Sequence, residues 1–239
     1  MIDPSKNQVI MEPIKKPAVR TRGIEAVVIL SGGMDSTTLL YDVMDSGKET
    51  AAVTFDYNQR HKKEILMAIK TTRRLHVPHE IIPLTVLNQI APSCLTRPRP
   101  VPEGHYADEN MKQTVVPNRN MVMLSLAAAY AIGIGATELY YGAHSGDHTI
   151  YPDCRPEFVQ AMDLALALCD WHPVQLMVPY LFGNKTSILR RGQQLGVDYS
   201  RTWTCYKGRE KACGRCGSCQ ERLEAFAEVG IKDPLEYEE

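Results

Sequence analysis

The sequence predicts an α/β fold: a doubly wound, mainly parallel Rossmann-like sheet with a small cysteine-rich C-terminal region. Three observations predict it. The run AVVIL at 26–30 is short, β-branched and stopped by SGG, as in a strand buried on both faces. Runs of that kind alternate with segments of helical period, the pattern of parallel strands joined by crossover helices. Four of the seven cysteines crowd between Cys205 and Cys219, which suggests a metal-stabilised appendage.

The elements follow in order. Residues 1–24 hold Pro4, Pro13 and Pro17 among Lys15, Lys16, Arg20 and Arg22 and read as a loose tail. Beyond the glycine turn, Leu39, Leu40, Val43 and Met44 share a helical face and Gly47 closes the segment. TAAVTF at 50–55 is the next strand, 60–75 a helix with Ile65, Leu66 and Ile69 on one face, and HEIIPL at 79–84 a strand. Residues 91–117 carry Pro92, Pro98, Pro100, Pro102 and Gly104 without a period and form a loop or lid. From 121 to 132 the chain is apolar on nearly all sides, which predicts a helix packed tightly inside the domain. ELYYG at 138–142 is a strand, and Phe158, Met162, Ala165, Leu166 and Cys169 make one stripe of an amphipathic helix. VQLMVPY and a helix over 185–195, ended by Gly196, complete the main unit, 25–200. The appendage, 201–239, is the cysteine cluster and a helix bearing Leu223, Phe226 and Ala227.

Composition narrows the class. With 239 residues the chain can bury a large core, roughly 70 to 75% of its extended surface, and needs no disulfide framework. The 27 Lys and Arg against 28 Asp and Glu leave a net charge of -1, without the excess that drives phosphate-backbone binding, so no nucleic-acid partner is expected. The apolar runs fall short of the ~20 residues that span a bilayer, and the first 25 residues have no apolar core. A cytoplasmic protein with reduced thiols is expected.

Ser31, Gly32, Gly33, Met34, Asp35 and Ser36 lie between strand and helix, where a doubly wound sheet places its ligand. Two glycines let backbone N–H groups close on an anion, and the helix start adds partial positive charge. Asp35 could hold Mg²⁺, Ser31 and Ser36 could donate hydroxyls, and Ser36 or Asp35 could cap the helix. A capped turn is the plainer alternative. The spacing is neither G-x-x-x-x-G-K-[ST] nor G-x-G-x-x-G, so this is a different phosphate cradle.

Cys205, Cys213, Cys216 and Cys219 are spaced C-x7-C-x2-C-x2-C, with glycines at 208, 214 and 217 supplying turns. The pattern suits a closed tetrahedral zinc site, with an iron–sulfur cluster the main competitor. Cys219 shares a helical face with Leu223 and Phe226. Lys207, Arg209, Lys211 and Arg215 around the knuckle read as a solvated face rather than an RNA contact.

SGGMDS, YNQRH, VPNRN, GDHTIYPDCRPEF, LGVDYSRTWTCY and CGRCGSCQERLEAF occur in this order between residues 30 and 226. Together they closely resemble the 7-cyano-7-deazaguanine synthase family, and the hexapeptide resembles the PP-loop of the ATP pyrophosphatase superfamily, an adenine nucleotide alpha hydrolase-like fold. Thr204 stands where a Ser is common. The resemblance implies an ATP-dependent, nitrile-forming ligase of queuosine biosynthesis acting on 7-carboxy-7-deazaguanine and ammonia through adenylated intermediates and an amide. No second unit for glutamine hydrolysis is apparent, which agrees with free ammonia. It implies ATP contacts along Leu30, Ser31, Gly32, Gly33, Met34, Asp35, Ser36, Thr37, Thr38, Leu39 and Leu40, with Ser31, Asp35 and Ser36 catalytic. It also implies one structural zinc on the four cysteines.

On chemistry alone, Asp147 or Asp153 could accept the N–H groups of a guanine-like edge, and Tyr151 or Trp203 could stack on the ring. Arg60, Arg119 or Arg155 could fork onto a carboxylate or phosphate, and Lys185 could meet departing pyrophosphate as a further catalytic group. His61, His144 and His148 lack convincing metal spacing, and Cys154 needs no covalent role. A homodimer is expected as the commonest closed assembly. The rival readings are tRNA-base thiolation or amidation, the same chemistry on another carboxylate, and a zinc-stabilised nucleotide-sensing or RNA-binding module.

Overall fold

In the computed structural model, which describes residues 23–239, five strands lie parallel: β1 (Ala26–Ile29), β2 (Thr50–Asp56), β3 (His79–Pro83), β4 (Glu138–Tyr140) and β5 (Gln175–Met177). Up to residue 22, the expected tail lies outside the described residues. The strand order is β3-β2-β1-β4-β5, so the sheet is doubly wound and wholly parallel, with the reversal of chain direction across the sheet at β1 and β4. The helices are α1 (Met34–Asp45), α2 (Lys63–Leu75), α3 (Thr85–Ile90), α4 (Arg119–Ile134), α5 (Pro156–Ala167), α6 (Lys185–Gln194) and α7 (Gly217–Val229).

The alternation in β1 explains the layering. Val27 faces one core with Ala51, Val53 and Leu139 of the neighbouring strands, Ala127 and Ala131 of α4, and Met162 and Leu166 of α5. Ala26 and Val28 face the other, with Leu39, Leu40 and Val43 of α1, Ala68 of α2 and Ile188 of α6. Ala26, Val27 and Val28 have no exposed surface, as the unbroken apolar run requires.

Several helix faces differ from the expected ones. Helix α2 starts at Lys63 rather than near residue 60, and Leu66 is 55% exposed; the inward residues are Ile65, Ala68, Thr71 and Thr72. The small Ala68 is needed there because α2 packs against the glycine loop. Helix α4 is not enclosed: Met121, Ser125, Ala129 and Gly133 form an exposed stripe at four-residue spacing, since the helix covers one face of the sheet only. In α5 the inward residues are Val159, Met162 and Leu166, while Ala165 is exposed and Cys169 lies beyond the helix end. Residues 91–117 are no free flap: Cys94, Leu95, Val101, Met111 and Val116 are buried, and Glu109–Thr114 forms a 3-10 helix.

Helix α1 ends as expected, with Gly47 in a left-handed conformation (φ +83°) donating its N–H to the Met44 carbonyl at 2.9 Å. Gly32 is left-handed too (φ +88°), but a Cβ there would collide with the Glu64 carbonyl and come within 2.8 Å of the Ala68 nitrogen, both backbone atoms of α2. A Cβ at Gly47 meets open space. Urea denaturation should therefore show Gly47→Ala losing about 1–2 kcal/mol, the left-handed cost alone, and Gly32→Ala losing well over 3 kcal/mol. Equal losses would contradict the close packing of α2 on the loop.

Candidate active site

A cavity of about 230 Å³ opens at the carboxyl ends of β1 and β4, the switch point of the sheet. Its first wall is the glycine loop. The Gly32 carbonyl accepts the Trp203 N–H at 2.9 Å, which together with α2 pins the loop from below. Ser31 Oγ and Ser36 Oγ are 2.9 Å apart, the Ser31 N–H donates to Ser36 Oγ (3.2 Å), and the Gly33 N–H donates to Ser31 Oγ (3.2 Å). The serines therefore shape the loop, and neither Ser36 nor Asp35 caps the helix. Gly33 is the N-cap, and no side chain takes its place. The amino end of α1, with its N–H groups and partial positive charge, is left to the cavity that Gly33, Met34, Asp35 and Ser36 line.

The second wall is charged. Lys185, first residue of α6 and positioned by an Asn184–Ser187 capping box, reaches Glu221 of α7 at 2.5 Å and Asp35 of α1 at 3.2 Å. Burial pushes the Asp35 carboxyl up, but Lys185, with His144 and Arg222, more than offsets this and holds it below its ordinary value. Asp35, Glu221 and Asp147 in turn raise the Lys185 ammonium, overcoming the burial that opposes it. His144 accepts the Gly146 N–H on Nδ1 (3.1 Å), which leaves Nε2 to carry the ring proton. That nitrogen stands 3.8, 3.7 and 3.9 Å from Asp35, Asp147 and Glu221.

The third wall is aromatic and carries a buried acid. Arg119, first residue of α4, donates to the Tyr57 hydroxyl at 3.3 Å and to Asn120 Oδ1 at 3.3 Å. Tyr151 bridges Thr114 (2.6 Å) and Tyr206 (3.3 Å) by its hydroxyl. Glu64 accepts from Gln59 at 3.0 Å and lies 3.4 Å from His61. Burial raises Glu64 to about 8, which the Gln59 hydrogen bond and Arg119 only partly offset, and burial lowers His61 to about 3. Burial also pushes the Cys154 thiol well up, so it stays protonated beside the Tyr141 hydroxyl at 3.2 Å, which suits no covalent role.

Of the residues singled out from the sequence, Leu30, Ser31, Gly33, Met34, Asp35, Ser36, Lys185, Arg119, Asp147, Tyr151 and Trp203 line this cavity. Gly32 lies beneath it. Thr37, Thr38, Leu39 and Leu40 are behind the first turn of α1: both leucines are in the core, and Thr38 bonds Met34 and Tyr199. Arg60 is exposed and donates to the Arg99 carbonyl, Arg155 is exposed and donates to the His148 carbonyl at 2.8 Å, and Asp153 accepts the Asn120 N–H at 3.3 Å. These three are not on the cavity wall. Glu64, Tyr57, Tyr206 and Glu221 are on it and carry no local signal of their own. The signal available was membership of the unusually polar stretches 57–64 and 205–221.

The four knuckle cysteines are buried and unpaired, with Sγ atoms all within 4.8 Å of one another, so the cluster can hold a metal ion. Backbone N–H groups of Cys213, Arg215 and Cys216 point at these sulfurs from 3.3 to 3.4 Å. The surrounding cations are paired with acids: Lys207 and Arg215 with Glu103, Arg209 with Glu238 and Lys211 with Glu236.

Residues 25–230 match the family described as queuosine biosynthesis protein QueC. The chain belongs to the QueC family. It is 66% identical over 216 residues to 7-cyano-7-deazaguanine synthase from Methanoregula boonei, covering 90% of this chain and all of that one. Against 7-cyano-7-deazaguanine synthase from Caldicellulosiruptor saccharolyticus it is 60% identical over 216 residues, covering 90% of this chain and 96% of that one. NMN synthetase from Francisella tularensis has a similar fold, with TM-score 0.51 at 13% identity over 88% of this chain and 79% of that one.

Glu64 makes a measurable prediction about pH. Its folded value of about 8 lies above the reference 4.5, so across that window the folded chain binds a proton the unfolded chain has lost. Stability must fall as pH rises through the window. Glu64→Gln, which can keep the Gln59 hydrogen bond, should flatten the decline in melting temperature between about pH 5 and pH 8 and melt higher at the alkaline end. An unchanged slope would contradict the desolvation of the Glu64 carboxylate.

Proposed function

We propose that this chain converts 7-carboxy-7-deazaguanine to 7-cyano-7-deazaguanine with ATP and ammonia in queuosine biosynthesis, acting in the cytoplasm as a homodimer. The observation that carries the reading is the uncapped amino end of α1, opening onto one cavity with Lys185 opposite and an aromatic, acid-bearing wall beside it. In this reading residues 25–200 are the ATP-binding unit and 201–239 the zinc-bearing appendage.

Chemistry assigns the roles. The N–H groups of Met34, Asp35 and Ser36, in the loop that Ser31 and Ser36 shape, hold the outer phosphates, and Lys185 meets the charge that grows on pyrophosphate. A carboxylate oxygen of the substrate attacks the α-phosphorus, the bond to pyrophosphate breaks, and an acyl adenylate forms. Ammonia attacks its carbon, AMP leaves with the C–O electrons, and the nitrogen sheds a proton to give the amide. The amide oxygen is adenylated in the same way, and loss of AMP and of both remaining N–H protons leaves the nitrile. Asp147 can accept the N–H groups of the guanine-like edge, Arg119 can fork onto the substrate carboxylate, and Tyr151 can stack on the ring.

Two metal ions fit the residues. Asp35 Oδ1 is buried without a hydrogen-bond partner among the described residues, the kind of hard oxygen Mg²⁺ takes, and the ion would neutralise phosphate charge when bound. Four clustered, buried thiols suit zinc, with Zn–S bonds of about 2.3 Å, and leave no open position for catalysis.

Incubation with ATP, Mg²⁺, ammonium and the carboxylate should yield amide and then nitrile by mass spectrometry, with AMP formed at each adenylation. Absence of both products would refute the reading. Asp35→Asn, which keeps an oxygen toward Lys185 but not the charge that would hold Mg²⁺, should keep the fold and zinc while abolishing substrate-dependent AMP release. Cys216→Ser should lower bound zinc and melting temperature together, since such sites supply roughly 10–16 kcal/mol in small zinc peptides. Loss of the fold in both variants would mean the loop has been misassigned.

A further inference from the structure

A second, much smaller hollow lies behind the wall of the main cavity. It holds about 20 Å³, enough for one water-sized species and no more. Asp147, Tyr151, Tyr206, Ser218 and Glu221 line both spaces and form the partition between them. On the far side the hollow is bounded by Tyr106 and Met111 of the 91–117 segment and by Gly146 and Gly217.

We propose that this hollow is the entry and binding site for ammonium, a second mouth separate from the one that admits ATP and the deazapurine. The inference rests on the function proposed above. That reaction brings two large reactants into one 230 Å³ cavity, yet the nitrogen must arrive after the acyl adenylate has formed and without a flood of water. A side entrance that passes one small molecule at a time meets this requirement.

Its chemistry suits the ion. Ammonium is the size of water, carries one positive charge and donates in four directions, so it needs acceptors. The residues of the partition are rich in acceptors: the acids Asp147 and Glu221, Tyr151, Tyr206 and Ser218. The cation of the main site, Lys185, does not border the hollow; it is held on the other side by Glu221 and Asp35. The ion releases one proton to solvent and continues inward as ammonia to the activated carbon. Glycine at 217 lets the rim close tightly around the hollow: a Cβ there would stand 2.9 Å from Met111 Sδ and 3.1 Å from Tyr106 Cα.

Two variants test this in steady-state assays on the full chain, with zinc content and melting temperature as controls. Ser218→Val fills the throat from the partition side. It should raise KM for ammonium by about tenfold or more while KM for ATP and for the carboxylate stay within about twofold. Tyr106→Ala widens the outer rim, and should relax the discrimination of ammonium over methylamine by about tenfold, read as N-methyl amide by mass spectrometry. Ammonium and ATP constants that move together in the first variant, or an unchanged ammonium-to-methylamine ratio in the second, would overturn the proposal. Should Ser218→Val fail to fold, the Tyr106→Ala ratio decides alone. Failure of the unmodified protein to form amide or nitrile from ammonium would instead remove the underlying function.

Discussion

The ammonium group of Lys185 joins the parts of this molecule that must act together. It starts α6, touches Asp35 in the first turn of α1 and Glu221 in the second turn of α7, and is itself buried. A buried charge with a partner removed typically costs 3–5 kcal/mol, whereas the intact set contributes little net stability. The arrangement is therefore better understood as positioning than as reinforcement. It fixes a cation opposite the amino end of α1 and ties the cysteine-bearing helix to the glycine loop, so the site exists only when α7 is packed against α1 and α6.

The same dependence runs through the knuckle. Arg222, fully buried on α7, donates to both Asp233 oxygens and to the Tyr199 carbonyl and Thr202 hydroxyl, locking the chain before and after the cysteines. Trp203, one residue further on, then reaches the Gly32 carbonyl. The 91–117 segment closes over the other side, where Glu103 bridges to Cys216 and Gly104 donates to the Arg215 carbonyl at 3.0 Å. A metal held by the four buried thiols would thus stabilise the cavity wall as well as its own turns. The position of Ser218 and Glu221 on α7 is a direct consequence.

The sequence was legible where one local cause dominates. Continuous β-branched runs can only be buried strands, and a helix after a glycine turn at the strand end declares itself by its period. Cysteines at short spacing have few uses. Helix orientation was less legible, because apolar period marks a face without saying what covers it. Leu66 turns outward because the space beneath α2 is taken by Gly32 and tolerates only Ala68. Helix α4 looks enclosed by composition, yet small residues can also line a surface, and Met121, Ser125, Ala129 and Gly133 do so.

Residues 31–36 and the four cysteines were enough, by themselves, to place a glycine turn between a strand end and a helix and to gather a metal-competent knuckle, since each depends on neighbours within a few positions. The partners of those groups were decided only by the tertiary structure. Glu221 meets Lys185 across 36 residues, and Tyr151 meets Tyr206 across 55. Arg60, Asp153 and Arg155 have the right chemistry yet stand off the cavity wall, while Glu64 and Glu221, without distinction in the chain, stand on it. The reason is physical: a side chain's role at such a site is set by which strand ends the fold brings side by side, and no local pattern encodes that juxtaposition.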